Sequence, residues 1–152
     1  MKLRLLSCAA MAVLTITTAA SAATTAISVG GHQLSVQGSS TSHTVTLDGR
    51  PFVSDDSDMF VSLLGPYNGA GHTYVLVMEQ SGGNACAAVY QAIDLSGSVA
   101  RITPSFGSCD DEPHAHVSKS GQLVVRTRRA QPPRYEVDVV RDGHLTSTTA
   151  NR

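Results

Sequence analysis

Thr73-Tyr74-Val75-Leu76-Val77-Met78-Glu79 decides the fold of this chain. Side chains alternate between the two faces of a β-strand, so Tyr74, Leu76 and Met78 would stand on one face and Val75 and Val77 on the other. A strand that is apolar on both faces needs cover on both, which predicts a central position in a sheet. Ser81-Gly82-Gly83-Asn84 turns the chain into a second segment of this kind over residues 85–95, where Cys86, Ala88, Tyr90 and Ala92 share a face.

Working outward, two-residue turns punctuate short alternating runs. Gly30-Gly31 joins residues 25–29 to 32–37 and sets Ile27 opposite Leu34. Asp48-Gly49 joins residues 43–47 to 50–53 and sets Val45 opposite Phe52. Pro51 has no amide hydrogen to donate, which confines its strand to an edge. Beyond the acidic run at residues 54–58, a strand is expected over residues 59–64, followed by a glycine-rich connecting loop over residues 65–72. Residues 99–103 form a short strand that Pro104 ends or holds at an edge.

Residues 122–128 and 134–140 are expected to pair with Arg126 opposite Glu136. That register places Leu123, Val125 and Thr127 beside Val139, Val137 and Tyr135 on a buried face. It leaves Arg126, Arg128, Arg134, Glu136 and Asp138 outside, with Val124 as the one apolar exception. Asp142-Gly143 then leads to a short strand at residues 144–146 and a loose polar tail. The pattern predicts an all-β fold: a single antiparallel β-barrel or β-sandwich domain of about 8–10 short strands with one disulfide.

The first 22 residues are organised differently. Lys2 and Arg4 precede an apolar run over residues 5–16, and Ala20-Ser21-Ala22 supplies a small-residue cleavage site. This is the pattern of a secretory signal peptide, leaving residues 23–152 as one β domain in the periplasm or outside the cell. No later stretch approaches the roughly 18 apolar residues of a membrane helix. Without Lys2 and Arg4, nine basic residues face twelve acidic ones. A nucleic-acid partner is therefore not expected, because such proteins show a basic excess clustered on one face.

Cys86 and Cys109 then remain in an oxidising compartment, where the expected outcome is one disulfide. Closing the loop between them contributes roughly 3.4 kcal/mol by chain entropy. Such a bridge would hold the adjacent cluster Asp110-Asp111-Glu112-Pro113-His114-Ala115-His116 at the surface.

Three groups in this sequence bear on function. His114 and His116 are two apart and project from one face of a strand, so both imidazoles could meet one zinc or copper ion. This H-x-H resembles part of the first metal motif of cupins, but Val117-Ser118-Lys119-Ser120-Gly121 lacks that motif's downstream acid. Arg126, Arg128 and Arg134 form a candidate binding group, because guanidinium forks suit carboxylates and phosphates. Asp110, Asp111 and Glu112 form an acidic counterpart. No G-x-S-x-G elbow marks a serine nucleophile, and a cysteine nucleophile would require the disulfide to be absent.

The expected function is a small exported binding protein, an inhibitor or immunity-like partner of another exported protein. Small periplasmic lysozyme inhibitors are similar in size and expected architecture, although Gln122-Leu123-Val124 after Ser120-Gly121 lacks the tyrosine of their binding loop. A metal-binding protein or metalloenzyme built on His114 and His116 is the alternative, and a structural accessory of the cell envelope is the third reading.

Overall fold

A computed structural model describes residues 25–39, 42–55, 60–80, 86–129 and 134–151. The expected signal segment and most of the acidic run, residues 56–58, lie outside the described residues.

The described chain is all-β, in three four-stranded antiparallel sheets. The first, in order β1-β2-β3-β4, contains β1 (Ala26–Val29), β2 (His32–Ser39), β3 (Ser42–Leu47) and β4 (Arg50–Asp55). The second contains β5 (Phe60–Gly69), β6 (His72–Gln80), β7 (Val89–Asp94) and β8 (Arg101–Ile102), in that order. The third, in order β12-β11-β10-β9, contains β9 (His114–Val117), β10 (Leu123–Arg129), β11 (Arg134–Arg141) and β12 (His144–Asn151).

The apolar character of β6 on both faces positions everything else. Tyr74, Leu76 and Met78 join Tyr90, Ala92, Leu123, Val125 and Val140 in one core. Val75 and Val77 join Ile93, Ile27, Leu34 and Val45 in a second. The β5–β8 sheet is therefore the middle layer, with the β1–β4 sheet packed on one face and the β9–β12 sheet on the other. Each Val, Leu, Ile or Met side chain fully removed from water in these cores contributes about 1.5–3 kcal/mol.

The turns follow the sequence closely. Ile27 lies opposite Leu34 across Gly30-Gly31, and Asp48-Gly49 and Asp142-Gly143 both adopt the paired positive φ of a tight hairpin. Two registers and two strand extents differ from expectation. Val45 pairs with Val53, not Phe52, because a bulge between Val45 and Thr46 inserts one extra residue into β4. The glycine-rich stretch is strand: β5 runs on to Gly69 through an irregularity between Leu64 and Tyr67, and the turn is only Ala70-Gly71. The tail is strand as well, since β12 pairs with β11 along its whole length.

The second register difference has the largest consequence. β10 and β11 pair one residue away from the expected register, so Arg126 faces Val137 and Thr127 faces Glu136. β10 buries Leu123, Val125 and Thr127 as expected, but β11 turns Asp138 and Val140 inward and Tyr135, Val137 and Val139 outward. The row Leu123, Val140, Leu145 explains the choice: the two-residue turn locks Val140 opposite Leu145, and both then reach the core with Leu123. The accompanying cost is a fully buried Asp138, which Ser147 from β12 partly offsets by donating its hydroxyl at 2.5 Å.

Candidate binding face and its disulfide brace

The brace forms as the sequence predicts. Cys86 and Cys109 are disulfide-bonded. Tyr90 and Phe106 exchange two backbone hydrogen bonds of 2.8 and 2.9 Å, which ties the following loop to the middle sheet. The loop is also tied to the third sheet. Ser108 Oγ lies 2.9 Å from Thr127 Oγ1 and donates to the Arg128 carbonyl at 3.1 Å.

Asp110 completes this attachment. Its carboxylate accepts from the Arg128 amide at 2.5 Å, and its carbonyl accepts from the Tyr90 phenol. Burial, followed by the neighbouring Asp110 and Asp111 charges, pushes the Tyr90 hydroxyl well above the ordinary phenol range, so it stays a donor. Asp110 is thus occupied by its own chain, whereas Asp111 and Glu112 are exposed beside it.

The loop enters β9 at His114, on the outward face of the third sheet. Cross-strand pairing fixes which residues share that face. One row runs His116, Val124, Val139, Thr146, and the next runs His114, Arg126, Val137, Thr148. Arg128, Tyr135 and Ala150 form a third, and Arg141 with His144 a fourth. No carboxylate occurs among these residues. Val124, Val137, Val139 and Tyr135 are half-buried, and the Arg126 guanidinium lies 3.7 Å from the centroid of the Tyr135 ring.

This geometry sorts the sequence candidates. Arg126, Arg128, His114 and His116 come together on the outward face, and the exposed Asp111 and Glu112 lie at its margin, directly ahead of β9. Arg134 does not join them. It lies opposite Arg129 at the far end of the hairpin, on the other parity, so the expected placement of Arg134 on the outer face with Arg126 and Arg128 does not occur. Glu136 also pairs differently from expectation: Arg129 approaches it at 3.5 Å, while Arg126 stacks on Tyr135.

His114 and His116 are exposed on one strand face, with Arg126 directly opposite His114. Among the described residues, no group of three or more His, Cys, Asp and Glu side chains is placed to hold a metal ion. Tyr135, Val137, Val139, Arg141 and His144 are the face residues that the expected register hid. The pairing of Val140 with Leu145 across Asp142-Gly143 was the sequence signal that could have exposed them.

Comparisons with protein-family models, with curated proteins and with solved structures found no match to this chain. No helix among the described residues is long and apolar enough to cross a membrane.

Proposed function

We propose that this chain is an exported binding protein that holds an acidic surface of another exported protein against the outward face of its β9–β12 sheet, as an inhibitor or immunity-like partner does. The observation behind this reading is the composition of that face: Arg126 and Arg128 flank half-buried valines and Tyr135 with no acid in their cross-strand rows, while Arg141 at the hairpin end pairs with Asp142 at 3.8 Å. Interfaces favour a central apolar and aromatic patch with arginine close by, because guanidinium and ring together give large contact at modest entropic cost. The disulfide and Asp110 support the reading from behind, since both hold the loop leading into β9 against β10.

Export rests on the basic, apolar and small-residue order of residues 1–22, together with a disulfide that persists best in an oxidising compartment. The clustering of basic groups makes anionic polymers and lipid surfaces the relevant controls. The test is capture from an envelope extract with the wild-type chain and with an Arg126→Glu, Arg128→Glu variant. One stoichiometric acidic protein, retained by the wild type and lost by the variant and at high salt, is the expected result. Equal capture by both chains would contradict it, as would binding to anionic vesicles or single-stranded DNA in place of protein.

A further inference from the structure

β12 differs from every other sheet edge among the described strands. β1 and β9 are four residues long and β8 only two. β4 carries Pro51 and a bulge, both of which spoil a template for strand addition. β5 is broken between Leu64 and Tyr67, and its Gly69 lies close against Val117 of β9. β12 has none of these protections. Its eight residues pair regularly with β11 on one side, and it contains no proline, lysine, arginine or carboxylate.

We infer that β12 is a self-association edge, where two copies of this chain pair antiparallel about a two-fold axis to form one continuous eight-stranded sheet. The chemistry of the strand selects a second copy. A pairing strand must be extended, regular and free of opposed charge, and β12 itself meets these conditions. Thr146, Ser147, Thr148 and Thr149 are exposed and uncharged; the Ser147 and Thr148 hydroxyls already donate to Asp138 and to the Val137 carbonyl and that of Thr149 accepts from Arg129, so the pairing rests on the backbone edge. Antiparallel pairing also carries His144, the only titratable side chain on the strand, to opposite ends of the shared ladder; a parallel arrangement would set the two side by side.

Because a two-fold axis normal to the sheet keeps outward faces on the same side, the dimer would join the two Arg126-Tyr135 faces into one basic surface. This inference goes beyond the proposed partner binding and rests on a different observation, so either can fail alone.

The test is sedimentation equilibrium of the mature chain across a wide concentration range. A monomer–dimer equilibrium is expected, with the dissociation constant raised at least tenfold by Thr148→Lys, which places like charges on both edges. Thr148→Cys gives a second reading that does not depend on tolerance of lysine. With Cys86 and Cys109 already bonded, it should yield a covalent dimer under mild oxidation. A chain that stays monomeric throughout, or a dimer indifferent to Thr148→Lys and not cross-linked through Thr148→Cys, would overturn the inference.

Discussion

The guanidinium of Arg126 rests 3.7 Å from the centre of the Tyr135 ring, a contact that exists because β10 and β11 pair one residue out of the register that would bury the most apolar side chains of β11. In the alternative register Tyr135, Val137 and Val139 would be core and Asp138 would be solvated. In the observed one, an aromatic and two valines are turned outward between arginines.

That contact should be measurable without any partner. An exposed cation–π pair is worth about 0.5–1 kcal/mol. A double-mutant cycle with Arg126→Ala and Tyr135→Ala, read by urea unfolding, should give a coupling energy in that range. Additive effects would mean that the two side chains do not interact in solution.

Asp138 should make stability depend on pH. Its side chain is fully buried, and Oδ2 has no hydrogen-bond partner. Burial raises its pKa above the ordinary carboxylate value, the Ser147 hydrogen bond lowers it in part, and the Glu136 charge raises it again. The folded chain thus keeps this proton to a higher pH than the unfolded chain does. The associated stability is fully present below the unfolded value, near pH 3.9, and is lost as pH rises through the folded one. Asp138→Asn should therefore stabilise the protein at pH 7 by about 1–3 kcal/mol, with the gain shrinking towards pH 4. Thermal unfolding of both chains across that window checks it; a gain independent of pH would contradict the assignment.

The disulfide should matter more to the loop than to the sheets. Replacing Cys86 and Cys109 together with serine should cost about 3 kcal/mol in global stability. Hydrogen exchange should accelerate most at the Arg128 amide, whose acceptor is Asp110, and least in β6. Uniform acceleration would mean that the bridge does not act through this loop.

Gly121 and Gly30 offer a matched comparison, since both have positive φ. A Cβ at Gly121 would stand 2.3 Å from His72 Cδ2, whereas one at Gly30 would meet nothing within 4 Å. Gly121 also accepts the Tyr74 phenol on its carbonyl at 2.8 Å. Gly121→Ala should cost at least 2 kcal/mol, and Gly30→Ala about 1 kcal/mol, the ordinary backbone penalty. Equal losses in denaturant titrations would show that the ring moves aside freely.

Much of the fold was legible where local chemistry decides it. The two-sided apolar character of Thr73 to Glu79 announced the middle layer, and Gly30-Gly31, Asp48-Gly49 and Asp142-Gly143 announced their hairpins. The errors occurred where a distant contact outweighed the local pattern. Counting apolar residues within β11 alone favours Tyr135, Val137 and Val139 as core. The observed register depends instead on Leu145, contributed by a strand whose polar sequence resembled a loose tail. The disulfide could be read from the cysteine count and the expected compartment, and the proximity of Arg126 and Arg128 from strand alternation. That the cross-strand rows around Arg126 would contain no acid could not, because it required turning Glu136 and Asp138 inward.

The central claim is that the outward face of β9–β12 binds an acidic partner protein, and calorimetric titration of the captured partner into a chain of residues 23–152 tests it most directly. Arg126→Glu with Arg128→Glu should weaken binding by at least a hundredfold, and raising salt should weaken the wild-type complex, while reversal of Arg50 on β4 changes affinity less than twofold. Unchanged affinity in the double variant, with its fold intact by circular dichroism, would contradict the account.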